Sequence, residues 1–367
     1  MIIGIEAVNI RNGGGLNHLI AFLERNNKSN FYDKIIVFTN SLTKQKLNHI
    51  KNIEIVQNKF FDLPYFLYIF YQLFCLKRDL KKYDCDLIFV PGSIFLIKFP
   101  NVLMPQNMLP FDKTELKRFG IFGRLKFIFV GIAQKHSLKK TNGVIFLSEY
   151  ASKTISLYAP SSIKTIIPFG IEQPKIKPKI NSEFTSKNPM KLLYVSPLYP
   201  YKHHEIVIKV VNELINEGFN IQFKIVGGGS KSSLKSLNKL INNTQIKLVG
   251  EVNPKEISKH LIESNVFIFA STCENLPITM LEAMSFGMPI ICSNYGVMPE
   301  VLSHTSNFFF DPTNYESVKK VIKKAYNNTH LLNLEANKNK NISRKYKWKE
   351  NLIFTNNFLN ETYENSK

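Results

Sequence analysis

The sequence predicts an α/β protein built from two doubly wound domains that face each other across a cleft. Short runs of β-branched and aromatic residues alternate with longer segments of helical period. The alternation stops at residues 173–189, which are rich in Pro, Lys and Ser, and then begins again. In each half a strand leads into three consecutive glycines, Gly13–Gly15 and Gly227–Gly229, as in Rossmann-like domains.

The chain is long and apolar enough for two separate cores. It has 367 residues, of which 44% are hydrophobic. We therefore assign residues 1–172 to an N-terminal domain, 173–189 to a linker and 190–345 to a C-terminal domain. Residues 346–367 are predicted to form a final helix.

Apolar, β-branched runs predict seven strands in the first half, at residues 2–8, 34–39, 53–57, 87–90, 101–104, 143–147 and 165–168. Helices are predicted from about residue 16 to 25 and at residues 61–80, 113–140 and 148–158. The segment 61–80 is the most apolar, but Asp62, Pro64 and Gln72 interrupt it. It therefore lacks the apolar length of a membrane span.

The second half repeats this pattern. Strands are predicted at residues 192–196, 222–226, 246–249, 266–270 and 290–293. Helices are predicted at residues 204–216, 230–241, 254–262 and 277–287. Pro277 and Gly287 mark the start and end of the last helix.

The segment from Phe267 to Pro289 predicts a ligand site, because a buried strand, a polar loop and a helix follow one another. If Pro277 is the first helical residue, the next N–H groups lack intrahelical partners and can hold a phosphate. Glu274 precedes this helix and Glu282 lies within it. One carboxylate then faces the hydroxyls of a nucleotide ribose, and the other a transferred sugar.

Three loops offer further candidate ligand contacts. Glycines let a backbone approach a ligand closely, although plain tight turns explain the same pattern. The candidates are Gly14, Gly15, Gly227 and Gly228. Gln106 and Asn107 follow the strand at 101–104, at the edge where such sheets bind ligands. A turn between two prolines is the alternative for this loop.

The charge of the chain suggests an anionic partner. It has 48 Lys and Arg against 28 Asp and Glu, a formal net charge of +20. Bias toward Lys, Asn and Ile in the genome is an alternative explanation. In residues 113–140 basic side chains alternate with Phe, Ile and Leu, which is typical of a helix in an anionic membrane interface. A basic solvated face over an ordinary core is the alternative.

The four cysteines form no CxxC pair, so neither a zinc site nor a disulfide framework is suggested. Asp84-Cys85-Asp86 has the spacing of a DxD metal site, but it directly precedes the strand at 87–90, and residues that enter a strand are the favoured alternative. No metal or cofactor is therefore expected. Met1–Val8 lacks a basic start and a cleavage site, and Glu6 interrupts its apolar run, so we expect no signal peptide. The expected location is the cytoplasm, with a peripheral position on the inner face of the membrane if residues 113–140 dock there.

Several motifs together resemble the family-4 retaining glycosyltransferases of the GT-B fold. The segment ENLPITMLEAMSFGMP contains Glu274 and Glu282 in the spacing of the family's E-x7-E motif. Further similar segments cover most of the chain: the glycine loop at Gly13–Gly15, VIFLSEY at 144–150, IPFGIE at 167–172, VGGGS at 226–230, VGEV at 249–252 and FFFDPTN at 308–314.

The resemblance implies a hexosyltransferase that uses a nucleotide diphosphate sugar, needs no metal or cofactor and retains the anomeric configuration. It implies that Glu282 binds the ribose, Glu274 stabilises charge at the anomeric carbon and Lys202 binds the diphosphate. Backbone contacts to sugar and phosphate are implied for Asn275, Leu276, Pro277 and Ile278. The C-terminal domain is then the nucleotide-sugar side, and the N-terminal domain, with Gln106 and Asn107, is the acceptor side. It further implies that the C-terminal helix crosses back to the N-terminal domain.

The chain departs from the family at three places. Ser196 and Pro197 stand where the family has Gly and Arg, so a second cation on the diphosphate is missing there. Arg11, His203, His204 or another basic residue supplies it instead, or Lys202 acts with the helix dipole alone. Gln106 and Asn107 occupy the loop where the family often has a histidine, and Asn275 replaces a common glycine.

Other functions are also considered. GT-B folds serve nucleotide-sugar epimerases and phosphorylases, but epimerases lack the ENLPITMLE pattern and no phosphorylase cofactor lysine is evident. A non-catalytic protein that binds nucleic acid or anionic lipid leaves both glutamates unexplained. We expect a nucleotide-sugar donor, no nucleic acid, and a lipid-linked or saccharide acceptor, as in assembly of O-antigen, lipopolysaccharide or capsule.

Overall fold

The computed structural model describes residues 1–11, 13–29, 31–63, 65–92, 94–174 and 183–367. These residues form two compact units. The first contains residues 1–116, 120–170 and 347–367, and the second contains residues 117–119 and 171–346. Residues 175–182 of the predicted linker lie outside the described part of the chain.

The first unit is built on a parallel sheet of seven strands, in the order β3-β2-β1-β4-β5-β6-β7. The strands are β1 (Ile2–Glu6), β2 (Lys34–Phe38), β3 (Glu54–Val56), β4 (Leu87–Val90), β5 (Asn101–Leu103), β6 (Gly143–Phe146) and β7 (Ile163–Ile166). Strands β4, β5 and β6 are buried along their whole length, as expected for a parallel sheet covered on both faces.

Among the described residues, seven helices connect these strands: α1 (Gly13–Asn26), α2 (Ser41–Leu47), α3 (Tyr65–Tyr71), α4 (Lys77–Lys82), α5 (Lys113–Leu116), α6 (Ile121–Leu138) and α7 (Glu149–Ile155). A π-helical segment, Gln72–Leu76, joins α3 to α4. The predicted helix at 113–140 is interrupted between α5 and α6, where Gly120 has extended backbone angles and caps α6.

The second unit contains a parallel sheet of six strands in the order β10-β9-β8-β11-β12-β13. They are β8 (Met190–Val195), β9 (Ile221–Val226), β10 (Ile246–Gly250), β11 (Val266–Phe269), β12 (Ile290–Ser293) and β13 (Phe309–Phe310). The helices are α8 (His204–Asn216), α9 (Lys231–Leu240), α10 (Pro254–Glu263), α11 (Ile278–Ser285), α12 (Met298–Val301), α13 (Tyr315–Tyr326) and α14 (Thr329–Ser343).

The last helix, α15 (Trp348–Glu364), belongs to the first unit. The Tyr32 hydroxyl donates to Asn356 Oδ1 at 2.8 Å, and Asn351 donates to the Pro168 carbonyl at 2.8 Å. A Cβ atom at Gly143 would lie 2.7 Å from Thr362 Oγ1, so glycine in β6 lets α15 pack closely. Phe358 and Leu359 are buried and add to the apolar core of this unit.

Candidate active site

The candidate active site of the second unit lies at the carboxyl ends of β8 and β11. These two strands are central neighbours, and the chain continues from them toward opposite edges of the sheet. Open α/β sheets bind ligands at such a switch point. Lys202 lies in the loop after β8, and Glu274 lies in the loop after β11.

Tyr194 of β8 connects these two loops through hydrogen bonds. Its hydroxyl donates to the Lys202 carbonyl at 2.7 Å and accepts from the Ala270 N–H at 3.2 Å. Burial raises the pKa of the Tyr194 phenol, so the group stays protonated and able to donate. The sequence pattern places Tyr194 only in a strand. The signal for its further part in the site is that a buried tyrosine hydroxyl requires partners.

Lys202 and Glu274 form an ion pair between the loops. Lys202 Nζ donates to Glu274 Oε1, and Ser271 Oγ donates to the same oxygen at 2.5 Å. The two side chains are only 7% and 14% exposed. The ammonium also lies 4.9 Å from the centre of the Phe269 ring. Because a buried charge is costly without a partner, each side chain offsets the cost of burying the other.

Helix α11 begins directly after this pair. The prediction that Pro277 is the first helical residue is wrong: Pro277 is the N-cap, with ψ of 81°, and the helix starts at Ile278. The first helical bond runs from the Leu281 N–H to the Pro277 carbonyl at 3.0 Å. The N–H groups of Ile278 and Thr279 consequently have no partner within the helix, which leaves a site for an anion.

Two contacts fix the start of α11. Thr279 Oγ1 donates to the Val195 carbonyl at the end of β8, at 3.0 Å. Asn275 and Leu276, which join Glu274 to Pro277, are buried. The backbone that faces a ligand at this point is therefore held against the sheet.

Glu282 lies on α11 in a different environment from Glu274. Burial raises the pKa of the Glu282 carboxyl to about 7, and no hydrogen bond from a described residue opposes this. Glu282 is four residues beyond Ile278, which corresponds to roughly 6 Å along the helix axis. Its oxygens are thus available to the hydroxyl groups of a ligand whose phosphate lies at the helix start.

The second glycine loop packs against the end of β8. A Cβ atom at Gly227 would lie 1.8 Å from the Ser196 carbonyl oxygen, and only glycine avoids this contact. The Leu198 N–H donates to the Gly228 carbonyl at 2.9 Å. The structure thus brings Gly227 and Gly228 next to the loop that carries Lys202, and their contact with a donor stays a prediction.

The two histidines beside Lys202 do not supply a second positive charge. Burial lowers the pKa of His203 to about 4 and that of His204 to about 3, so both are neutral near pH 7. His203 Nε2 lies 3.1 Å from Thr272 Oγ1, and His204 Nε2 lies 3.0 Å from Ser196 Oγ. Arg118 belongs to the second unit, and its charge helps to lower the pKa of His203. It remains a candidate for the second cation beside Lys202 and the helix dipole of α11.

The other predicted residues form a group in the first unit. Gly14 and Gly15 lie in the first turn of α1, and not in a loop as predicted, because the helix begins at Gly13. A Cβ atom at Gly15 would lie 2.4 Å from Gln106 Oε1, so these two residues are close neighbours. Asn107 Oδ1 accepts from the Leu109 N–H at 3.0 Å, which is a turn-forming bond.

Comparison with known proteins relates the second unit to one family. Residues 175–348 match the family described as "Glycosyl transferases group 1". Protein CapJ of Staphylococcus aureus is 25% identical over 208 residues, which are 56% of this chain and 51% of that protein. The amylovoran biosynthesis glycosyltransferase AmsK of Erwinia amylovora is 24% identical over 168 residues, 44% of this chain and 41% of that protein. The chain thus matches about half the length of these relatives.

A solved structure extends the comparison to the whole chain. Alr3699/HepE of Anabaena, determined in complex with UDP and glucose, has a TM-score of 0.75 and 16% identity. The match covers 98% of this chain and 100% of that one. The chain therefore has the predicted GT-B fold with two Rossmann-like domains, and residues 175–348 match the group 1 glycosyltransferase family.

The Lys202–Glu274 pair predicts that substitutions at these two positions have strongly coupled effects on the stability of the protein. Lys202→Met leaves Glu274 buried beside apolar atoms and should lower the free energy of unfolding by about 3 kcal/mol. In Lys202→Met/Glu274→Gln no uncompensated charge remains, so most of that loss should be recovered. Urea unfolding of the two single variants, the double variant and wild type measures the coupling. Additive losses would show that the pair is not coupled.

The raised pKa of Glu282 predicts a pH-dependent effect of Glu282→Gln. The native carboxyl ionises at about pH 7, whereas the unfolded one ionises at about pH 4.3. Between these values the native state binds more protons, so the stability that Glu282 contributes falls as pH rises. Glu282→Gln should be more stable than wild type at about pH 8, and this advantage should shrink toward about pH 5. Urea unfolding at several pH values measures the difference in stability between Glu282→Gln and wild type. A difference that stays constant with pH would contradict a raised pKa for Glu282.

Proposed function

We propose that this protein is a family-4 retaining glycosyltransferase, which moves a hexosyl group from a nucleotide diphosphate sugar to an acceptor hydroxyl. The observation that carries the proposal is the buried Lys202–Glu274 pair at the start of α11, inside the segment that matches the group 1 glycosyltransferases. Glu282 follows Glu274 at the spacing of the E-x7-E motif.

The donor diphosphate binds to Lys202 and to the N–H groups at the start of α11. An ammonium group and a helix N-terminus both stabilise negative charge, and that charge grows as the diphosphate leaves. Backbone atoms of residues 275–278 contact the sugar and phosphate, and no metal or cofactor is required. Glu282 accepts hydrogen bonds from the ribose hydroxyls.

Glu274 acts on the transferred sugar. In the absence of donor its carboxylate is the partner of Lys202. A bound diphosphate competes for this lysine, which leaves the carboxylate next to the anomeric carbon. There it stabilises the positive charge that develops as the bond to the leaving group breaks.

The reaction proceeds on one face of the sugar ring, as the resemblance to retaining enzymes implies. The bond between the anomeric carbon and the phosphate oxygen breaks, and the acceptor oxygen forms a new bond to the same carbon. The departing phosphate oxygen takes the proton of the acceptor hydroxyl. The products are a glycoside with unchanged anomeric configuration and a nucleoside diphosphate.

The similar proteins suggest which substrates to test first. HepE was solved with UDP and glucose, which supports a UDP-hexose as the first donor. AmsK is named for biosynthesis of a polysaccharide, amylovoran. We therefore propose a lipid-linked or saccharide acceptor in the synthesis of a surface polysaccharide such as O-antigen, lipopolysaccharide or capsule.

Helix α6 supports the proposal that the protein binds peripherally to an anionic membrane, on the inner face of that membrane. Its exposed apolar side chains recur at helical spacing on one side, and their exposed fractions range from 43% to 87%. They are Ile121, Phe122, Leu125, Ile128, Phe129 and Ile132. Exposed basic residues on the same helix include Arg124 and Lys126. No helix in the described part of the chain has the length and apolarity to cross a bilayer.

Loss of the Glu274 carboxylate should abolish turnover. UDP-, GDP-, ADP- and dTDP-sugars are first screened by thermal shift, because a bound donor raises the unfolding temperature. With the donor so identified, Glu274→Ala should lower release of the nucleoside diphosphate by roughly a hundredfold or more. Glu316→Gln, an exposed glutamate on α13, serves as the control and should retain wild-type turnover. Turnover by Glu274→Ala near the wild-type rate would refute its role.

Membrane binding through α6 should depend on both charge and apolar contact. Wild-type protein should co-sediment with vesicles that contain anionic lipid, and less so as salt is raised. Phe122→Asp should weaken this binding, whereas Leu157→Asp, at an exposed leucine outside α6, should not. Binding that ignores lipid charge or the Phe122 substitution would exclude α6 as the docking element.

A further inference from the structure

The Glu274 carboxylate is held through only one of its two oxygens. Lys202 Nζ and Ser271 Oγ both donate to Oε1, the serine at 2.5 Å. Within the described residues no hydrogen bond reaches Oε2. The Glu274 side chain is 14% exposed, so it is not sealed off from a ligand. One oxygen is therefore anchored to the protein, and the other is available to a substrate.

Ser271 is itself held by the neighbouring strand. β11 pairs with β12; Ser271 follows the end of β11, and Ser293 is the last residue of β12. Ser293 Oγ donates to the Ser271 carbonyl at 2.6 Å and accepts from the Tyr295 N–H at 3.2 Å. Both serines are completely buried. We call Ser271 and Ser293 the serine pair. It connects the Glu274 carboxylate to the end of β12.

The bonds of these two serines differ from those of other buried serines in the second unit. Ser285 and Ser343 each donate to a carbonyl of their own helix, both at 2.8 Å. Such local bonds satisfy the hydroxyl without any partner from elsewhere in the fold. Ser271 donates instead to a carboxylate, and Ser293 donates to the segment that follows another strand. The serine pair thus transmits the position of β12 to one side chain.

This anchor does not depend on Lys202, which follows β8. In the proposed reaction Lys202 passes from Glu274 to the diphosphate of the donor. Ser271 is then the remaining donor to Oε1 among the described residues. A buried acceptor that loses its last partner costs about 1 to 3 kcal/mol, and more when it is charged. The serine bond is consequently worth more when a diphosphate is bound than when the site is empty.

We propose that the serine pair positions Glu274: Ser271 keeps hold of Oε1 when Lys202 moves to the diphosphate, and Oε2 stays directed at the transferred sugar. The inference rests on the proposed glycosyltransferase function and adds two positioning residues to it, both of which act through Glu274. A carboxylate that rotates freely loses the geometry on which stabilisation of the developing charge depends.

Isothermal titration of UDP, GDP, ADP and dTDP tests this inference without turnover. Ser271→Ala leaves Glu274 without a donor once Lys202 binds the diphosphate, so the preferred nucleotide should bind about tenfold more weakly. Ser293→Ala keeps the Ser271 hydroxyl but loosens it, and should weaken binding about threefold. In the Glu274→Gln background no charge needs the serine. There Ser271→Ala should change the affinity by less than about twofold.

Turnover provides a second readout that a purely structural role would not affect in the same way. At saturating nucleotide sugar, Ser271→Ala should lower kcat by roughly tenfold, because Glu274 is no longer oriented. Ser343→Ala removes another completely buried serine hydroxyl of the second unit and should keep wild-type nucleotide affinity and kcat. Thermal unfolding verifies that each variant folds. If Ser271→Ala does not fold, Ser271→Cys takes its place, because a thiol fills the site but donates only weakly.

Failure of this inference differs from failure of the proposed function. Nucleotide binding to Ser271→Ala as tight as to wild type, or an equal loss of affinity in the Glu274→Gln background, would refute the positioning role and leave the donor site intact. Wild-type binding to Ser293→Ala would remove Ser293 from that role. If wild-type protein binds none of the four nucleotides, or turns over no nucleotide sugar, the proposed function is refuted and this inference with it.

Discussion

The candidate site depends on one buried ion pair, between Lys202 and Glu274. The two residues are 72 positions apart and follow different strands, so the pair forms only when β8 and β11 lie side by side. Tyr194 fixes the spacing of the two loops through a hydrogen bond to each. A charge at this depth is tolerated because its partner is present.

The same arrangement gives the two glutamates different environments. Glu274 receives hydrogen bonds from Lys202 and Ser271, whereas Glu282 receives none from the described side chains and has a raised pKa. Pro197 stands where the resemblance to family-4 enzymes predicts an arginine, and the adjacent histidines are neutral. Lys202 and the N-terminus of α11 therefore carry a larger share of the phosphate charge in our account.

Much of the candidate site could be predicted from the sequence, because its strand, loop and helix are consecutive in the chain. The strand, loop and helix around Glu274 were placed within two residues, since a buried run, a proline and a glycine mark them. Pro277 was placed wrongly because backbone angles, and not residue type, decide which side of the helix boundary it occupies. No element was assigned between residues 303 and 345, although α13 and α14 lie there. The many polar residues of α14 obscure its helical period.

The features that could not be predicted all depend on tertiary contacts. Tyr194 and Glu6 were assigned only to apolar strand runs, and nothing local shows which loop or cavity their polar atoms reach. The pKa values of His203 and Glu282 follow from burial, which sequence spacing does not specify. In the sequence Gln134 is one residue of a basic, aromatic segment, whereas the fold places it and Glu6 in the wall of one cavity.

The central claim is that Lys202 passes from Glu274 to the diphosphate of the donor. Isothermal titration of UDP, GDP, ADP and dTDP into wild type, Glu274→Gln and Lys202→Met tests this directly, because these nucleotides carry no sugar for Glu274 to contact. We expect the preferred nucleotide to bind Glu274→Gln about tenfold more tightly, since the competing carboxylate is gone, and Lys202→Met at least about tenfold more weakly. Weaker binding to Glu274→Gln, or unchanged binding to Lys202→Met, would contradict the account.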